Sequence, residues 1–514
     1  MIIADDFRTD TFAAYGRNLS VTPALDALVA DPRTMFFEKS YANYAQCAPS
    51  RLSFLSGLSP DTTGPINASI WAATKPPTQL SIPEFFRAKG FNVLTGGKVF
   101  HEDVGPSPVD LLWNSTYQPF QNQYTFGRAC KYGKAKHVKM ANGAPAAPGM
   151  VCDTSGGPGT LIDFVLAEKA SYALTKLAMS PEIPFFLAVG FYKPHMPWVV
   201  HEDFWNIIPD DAPDESTAGP QPMASYLPIF YDVDASLSSI GGNSWPWGAS
   251  HIQSNFVQVV RRAYSAAVTQ TDSLIQVLMD RLDQLHLANT TLVMVFGDHG
   301  FNLGENGLWN KDTVFDTALR VPMIIRVPWS RVPLNPLPLR RATSYFIELL
   351  DLYRTLAGLM GYDASEVGSN IQGRDFSAYI LKEIESNVSS NAAAATEVFG
   401  QVRRCGYTLD NVMVSQECEK ENSGTSRPIV WMGYSVRNDS WRYTVWLNAP
   451  NGVVNWQIIL GEELYDHRND EDSLYAYVIG ASYNEENLNV ANENQNVTKM
   501  MFAKVMQRFQ VTYS

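Results

Sequence analysis

The sequence predicts an α/β fold: a large, mostly parallel central sheet flanked by helices, joined to a smaller C-terminal α+β subdomain built on an antiparallel sheet. Three observations lead there. Short apolar runs alternate with helix-period stretches through the first two-thirds of the chain. Residues able to hold a metal or move a proton follow directly on those runs, where open α/β sheets place their sites. After about residue 420 the pattern changes to strands in close succession, "WMGYSVRND" and "WRYTVWLN", as an antiparallel sheet requires. The expected division is 1–420 for the main, catalytic domain and 421–514 for the second.

Taken in order, "MII" reads as the tail of a buried strand ending at Asp5-Asp6. It is expected to have lost its first residues, and with them a secretory leader. "NVLTGG" (92–97), "FFLAVGF" (185–191), "TLVMVFG" (291–297) and "VPMIIRV" (321–327) are the next strands. Before the first of these, Ser81 with Glu84 three residues on forms a capping box, and Gly90 ends the helix it opens. Residues 255–285 carry apolar side chains at three- and four-residue spacing and predict one long helix. The stretch 344–361, "SYFIELLDLYRTLAGLMG", predicts another. Two Gly/Pro-rich loops, about 102–160 and 202–250, interrupt the pattern, and loops of that length are often functional.

Composition narrows the function. Hydrophobic residues make up 45% and charged residues 18% of the 514, as in a folded globular chain, and 39 basic against 52 acidic side chains leave a formal charge of −13. A chain so acidic is repelled by polyphosphate, which argues against nucleic acid as a partner. No apolar run approaches the roughly 20 residues of a membrane span. Glycosylation sequons at Asn18, Asn67, Asn114, Asn289, Asn387 and Asn496 give weak support for the secretory pathway. Of five cysteines, Cys130 with Cys152 and Cys405 with Cys418 are the simplest disulfide pairs. Cys47 is then left over, either as a buried free thiol or as something reactive.

Polar residues after the strands divide into two chemical groups. Asp5, Asp6 and Asp298 offer hard oxygens to a divalent cation such as calcium. Arg51, Lys98, Lys193, Lys311, His101 and His195 offer positive charge and protons. Singly, each reads as a turn residue, a solvated charge or a satisfied polar group. Jointly, a metal and a cationic cluster are what hydrolysis of an oxyanion ester needs, with charge neutralised at the sulfuryl or phosphoryl group and a proton given to the departing oxygen.

The segment "CAPSRLSFLSG" (47–57) resembles the C-x-P-S-R signature of the type I, formylglycine-dependent sulfatases. "GGKVFH", "FFLAVGFYKPHMPW", "GDHGFNLGENGLWNKDTVFD" and "MGYSVRNDSWRYTVW" look like the iduronate-2-sulfatase branch of that family. The resemblance runs from residue 2 to beyond 470. It implies an alkaline-phosphatase-like sandwich and a Cys47 turned into formylglycine by a formylglycine-generating enzyme. As a hydrated diol, that residue attacks sulfur and later expels sulfate. It implies calcium held by Asp5, Asp6, Asp298 and His299 and touching residue 47, with Arg51 and Lys98 orienting the nucleophile. His101 would handle the diol proton; His195 and Lys311, with Lys193 beside them, would bind sulfate and protonate the leaving oxygen. The branch has His at 299 where many sulfatases have Asn. Asn306 stands where the branch usually has His. The implied partner is a sulfated carbohydrate, and the implied location is the lysosome or the outside of the cell. The rivals are a phosphomonoester or phosphonate hydrolase of the same superfamily and a silent glycan-binding homologue that keeps its thiol. The basic stretch 130–140, "CKYGKAKHVKM", could guide a polyanionic glycan, and Trp245 and Trp247 could stack on a sugar; a solvated loop and loop packing are their plain readings.

Overall fold

Strands that are apolar at every position belong between two layers, and the first strand shows this most clearly. The computed structural model describes residues 1–11, 13–15, 19–63, 80–101, 151–154, 161–209, 254–305, 308–331, 340–341, 345–385, 396–408, 411–414, 429–468, 486 and 488–510. Strand β1 (Ile2–Asp5) is buried at all its positions and lies inside a seven-stranded sheet. The other members are β2 (Thr34–Phe37), β3 (Asn92–Gly97), β4 (Phe185–Pro194), β5 (Val293–Gly297), β6 (Met323–Arg326) and β7 (Arg340–Arg341), in the order β7-β2-β6-β5-β1-β4-β3. Four strand pairs are parallel, among them β1 with β4 (Ile2 opposite Val189) and β1 with β5 (Ile2 opposite Val295). Strand β6, the "VPMIIRV" segment, runs antiparallel to both its neighbours, so the sheet is mixed.

Alternation along these strands sends side chains to two cores. Ile3, Met35, Phe37, Met294 and Phe296 pack on one face with helices α1 (Cys47–Ser56), α2 (Ile82–Ala88) and α5 (Leu352–Leu359). Ile2, Ala4, Phe36, Val189 and Val295 pack on the other with α3 (Ile162–Leu177) and the 31-residue α4 (Ser254–Gln284). The capping box of α2 is made as expected, Ser81 accepting from the Glu84 amide and Glu84 from that of Ser81. The helix expected over 344–361 is shorter. Ile347–Glu348 pairs in parallel with Ser40–Tyr41, and the α-helical turns begin only at Leu352. Here apolar spacing runs on through a strand and a 3-10 turn, and a pairing with a segment 307 residues earlier in sequence overrides it.

A second sheet of β8 (Glu397–Thr408), β9 (Asn411–Val414), β10 (Ile429–Asn438), β11 (Trp441–Asn448) and β12 (Asn455–Asp466) is antiparallel throughout, in the order β9-β8-β10-β11-β12. Helix α6 (Gln495–Phe509) covers it with Met501 and Val505. Its first two strands precede residue 420, and β8 lies against the main domain, where the Arg403 amide donates to the Tyr44 hydroxyl at 3.0 Å. Cys405 is disulfide-bonded and fully buried; its expected partner, Cys418, lies outside the described residues, as do Cys130 and the side chain of Cys152. Residues 130–140, Trp245, Trp247 and Asn306 lie outside them too. No described helix is long and apolar enough to cross a membrane.

Candidate active site

Parallel strands β1, β4, β3 and β5 end at one edge of the sheet, and the chain puts its carboxylates, lysines and histidines there. Asp5 closes β1 at a register shift against β4, and Asp6 follows with φ of 62°, a left-handed conformation that Asp tolerates better than most residues. The turn is held from two sides. The Asp6 amide donates to Asp298 Oδ1 at 3.0 Å, and the Tyr264 hydroxyl of α4 donates to the Asp6 carbonyl. Asp298 and His299 follow β5, both fully buried. The His299 amide also donates to Asp298 Oδ1, at 2.9 Å.

Cys47 is the first residue of α1 and is 4% exposed. Its Sγ lies 3.3 Å from Asp5 Oδ1, 3.3 Å from His299 Nε2, 3.0 Å from Lys311 Nζ and 3.5 Å from Lys98 Nζ. One turn along the same helix face, Arg51 reaches Asp298 Oδ2 through Nε (3.0 Å) and Nη2 (2.9 Å), and Asp5 Oδ1 through Nη2 (3.3 Å). The same guanidinium donates to the carbonyls of Lys98 and Val99, so the end of β3 is tied to the helix that carries Cys47. The Lys98 ammonium bonds Asp5 Oδ2, and the Lys311 ammonium bonds Asp6 Oδ1 at 2.9 Å. His101 is half-buried and hydrogen-bonds Cys47.

Lys311 is presented by an unusual backbone. Asn310 and Asp312, on either side of it, are both left-handed, with φ of 67° and 69°. Asn302 Nδ2 donates to the Asn310 carbonyl (2.9 Å), the Asp312 amide to the Ala45 carbonyl (3.0 Å), and Arg404 Nη2 of β8 to the Asp312 carbonyl (2.8 Å). On the opposite side, His195 stands at the mouth, its side chain 31% exposed and Nε2 3.9 Å from Asp6 Oδ2. Lys193 is buried, and its ammonium donates to the His195 and Pro197 carbonyls (2.9 and 2.7 Å), so it orders the loop that carries His195. Asp163 of α3 accepts from the Tyr192 and Lys193 amides (2.9 and 2.8 Å) and fixes the same strand end.

Charge follows from this crowding. Burial raises the Cys47 thiol, yet Lys311, Lys98 and His299, helped by the bond with His101, bring it well below its ordinary value. Burial and the charge of Cys47 push Asp5 up, but Lys98, His195 and Arg51 outweigh them and hold it below the carboxylate range. In Asp298 burial prevails over Arg51 and pushes the carboxyl up to about 6. Burial disfavours the charged His299 ring, but Asp298 raises it to about 9. For Lys193, burial lowers the ammonium to about 8. The donors suit a divalent cation: Asp5, Asp6, Cys47 and His299 bring one ligand atom each within 4.8 Å of one another. Asp6 Oδ2 is buried with no hydrogen-bond partner, a lone pair that a cation would satisfy. Asp298 adds a further carboxylate beside them, through Oδ2 at 3.5 Å from His299 Nε2.

The structure therefore gathers Asp5, Asp6, Cys47, Arg51, Lys98, Asp298, His299 and Lys311 into one buried cluster, with His101 and His195 at its edge. Sequence reading did not single out Asp163, Tyr264, Asn302 or Arg404. Each acts through a backbone group of another residue and leaves no local pattern to find.

Comparison with known proteins gives this cluster a context. The family model described as Sulfatase matches residues 1–362. The chain is 30% identical to iduronate 2-sulfatase of Mus musculus over 512 residues, covering 90% of this chain and 88% of that one. It is 30% identical to iduronate 2-sulfatase of Homo sapiens over 506 residues, with the same coverage. Among solved structures, the phosphonate monoester hydrolase of Agrobacterium radiobacter superposes with a TM-score of 0.67 at 17% identity, over 98% of this chain and 94% of that one.

Proposed function

The chain belongs to the sulfatase family, and from that premise we propose that it removes sulfate from a sulfated sugar through a formylglycine made from Cys47 and a calcium ion. It is a sulfuric ester hydrolase with the alkaline-phosphatase-like fold; the identity of nucleophile, metal and sugar is our reading. The observation that carries it is the position of residue 47: at a helix N-terminus, in contact with two lysines, an imidazole and a carboxylate.

Converted and hydrated, residue 47 would supply one hydroxyl to attack sulfur as the bond from sulfur to the sugar oxygen breaks, and a second whose deprotonation restores the aldehyde as the bond to sulfate breaks. Asp5, Asp6 and Asp298, with His299 beside them, would hold the calcium, which would supply positive charge to the sulfate oxygens. The chain's own groups do the rest. Lys98 and Lys311 draw the sulfate against residue 47 and neutralise the charge that grows on its oxygens. Arg51 fixes the angle of Asp298 and Asp5 and so the place where the nucleophile stands. His101, hydrogen-bonded to residue 47, handles the proton of the diol. His195, half open to solvent at the mouth, gives a proton to the sugar oxygen as it leaves, with Lys311 next to the same oxygen. Lys193 and Asp163 hold the loop that carries His195.

Identity to iduronate 2-sulfatases over most of both chains supports a 2-sulfated uronate of the glycosaminoglycan type as the sugar. The disulfide at Cys405 supports maturation in the secretory pathway, where an enzyme generating formylglycine would act, and a secreted or lysosomal location. A desulfation screen over defined sulfated mono- and oligosaccharides tests the substrate, with release from 2-sulfated uronates expected and release only from other positions overturning the assignment. Aryl sulfate, phosphate and phosphonate esters compared side by side test the reaction: faster phosphate or phosphonate turnover would favour the phosphoryl reading. Intact mass of the peptide spanning residue 47, from a host with the modifying enzyme, tests the nucleophile, and an unchanged cysteine in active protein would refute it.

A further inference from the structure

The donor set around residue 47 contains a sulfur and a nitrogen as well as carboxylates, and its geometry favours a different cation while Cys47 keeps its encoded thiol. His299 Nδ1 is 2.9 Å from the Gly300 carbonyl, which accepts only if that nitrogen carries the hydrogen. Nε2 is then the nitrogen turned to Cys47 Sγ, 3.3 Å away, and the one at which a metal ion would take the place of a proton. Metal-binding imidazoles are oriented in this way, one nitrogen tied to a carbonyl and the other to the ion. Sγ is also 3.3 Å from Asp5 Oδ1. A tetrahedron with Zn–S of about 2.3 Å and Zn–N or Zn–O of about 2.0 Å has edges of roughly 3.3–3.6 Å. Asp6 adds a carboxylate oxygen to the same group, and its Oδ2 is buried without a hydrogen-bond partner. Lys98 and Lys311 also donate to Sγ, as groups that stabilise a thiolate do.

We propose that the folded chain with Cys47 unconverted is a zinc site, with Cys47 Sγ and His299 Nε2 as its soft ligands and Asp5 and Asp6 as its carboxylates. Thiolate and imidazole select zinc over calcium, which takes six to eight oxygens. Exchange of the sulfur for oxygen at residue 47 removes the ligand that makes the selection and leaves a hard-cation site. The side chain at position 47 therefore sets which metal the fold retains. A zinc-loaded thiol form is chemically closed, because its sulfur is tied to the ion.

The experiment uses full-length protein from a host without the modifying enzyme, its Cys47 verified by intact mass and its metals stripped by chelation. Cobalt(II) serves as the spectroscopic probe, followed by displacement with zinc and, separately, with calcium. One equivalent of cobalt with a thiolate-to-cobalt charge-transfer band in the near ultraviolet is expected, lost on adding one equivalent of zinc and unaffected by millimolar calcium. Cys47→Ser is expected to lose the band and to weaken zinc by at least about 100-fold, while its calcium-induced rise in melting temperature persists. A cobalt complex without the thiolate band in the unsubstituted chain would overturn the proposal, whether or not the variant folds. So would zinc affinity that Cys47→Ser leaves unchanged, or displacement of cobalt by calcium. The measurement is made on the thiol form and without substrate, so its failure would leave the sulfatase reading standing, and failure of the desulfation screen would leave the zinc site standing.

Discussion

Replacing Arg404 by Ala tests whether the second sheet is part of the catalytic apparatus. Arg404 is 1% exposed, donates to the Asp312 carbonyl at 2.8 Å and the Arg403 carbonyl at 2.9 Å, and stacks over Trp446 at 5.1 Å. Each bond from a charged donor is worth about 1.5–3 kcal/mol, and water entering the vacated volume recovers part of it, so a net loss of about 3 kcal/mol in stability is expected. The effect on turnover comes through Lys311, whose neighbours Asn310 and Asp312 are left-handed and depend on such ties. Lys311 Nζ now stands 3.0 Å from Cys47 Sγ, the proposed nucleophile's position. At an effective dielectric of about 20, one unit charge contributes about 5.5 kcal/mol at 3 Å and about 3.3 kcal/mol at 5 Å. A retreat of about 2 Å therefore costs about 2 kcal/mol of charge stabilisation, or about 40-fold in kcat/KM. Hydrolysis of an aryl sulfate by protein shown to be folded measures this. Combined with Lys311→Ala, the Arg404 substitution should have no further effect on turnover, because its target is already gone. Additive losses, or full activity in Arg404→Ala despite a lowered melting temperature, would refute the coupling.

Three further outcomes are expected. Asp6→Ala should abolish the calcium-induced stabilisation, which for the unsubstituted chain at 100 times Kd amounts to about 2.7 kcal/mol, read as a thermal shift; an unchanged shift would remove Asp6 from the metal site. Asp272 of α4 accepts from the Ala24 and Leu25 amides, and burial pushes its carboxyl up to about 7. Its folded value lies above the unfolded one of about 3.9, so the stability it confers is greatest below about pH 4 and is lost as pH rises to about 7. Asp272→Asn should flatten the denaturation midpoint over that window. Gly97 has φ of 70°, and a Cβ there would meet the Gly190 carbonyl at 2.2 Å and Leu166 at 2.4 Å, just before Lys98. Gly97→Ala should cost about 3 kcal/mol in denaturant unfolding, from strain and overpacking together.

What the sequence disclosed was set by local pattern. The runs ending at Asp5, Pro194 and Gly297 are largely apolar on both faces, which marks buried parallel strands, while the run ending at Gly97 alternates, as an edge strand does. Parallel strands share one functional edge, so the charges after them could be read as one site. Cys47 was joined to it by the resemblance of "CAPSR" to a known signature, and the structure sets Cys47 and Arg51 on one face of one helix. The strand Met323–Arg326 has the same apolar look as its parallel neighbours, and nothing in its four residues encodes that it runs the other way. The helix expected from 344 was cut back to 352 by pairing with Ser40–Tyr41, a contact with no trace in the local spacing. Arg404, Asp163 and Asn302 were silent for a related reason. Their chemistry is spent on carbonyls and amides far away in sequence, and an arginine in a strand looks the same whether it faces water or holds a lysine's backbone in place.

Burial also imposes an order of events on this chain. Every residue of the helix Cys47–Ser56 is inside the fold, and Cys47 sits beneath two lysines and a histidine. An enzyme that rewrites residue 47 needs the backbone around it laid open in its own groove. The helix Cys47–Ser56, buried along its whole length, offers no such stretch of backbone. On the proposed function, rewriting would thus belong to the interval between synthesis and closure of the sheet over the helix. A molecule that closes first is committed for its lifetime to the side chain with which it was translated.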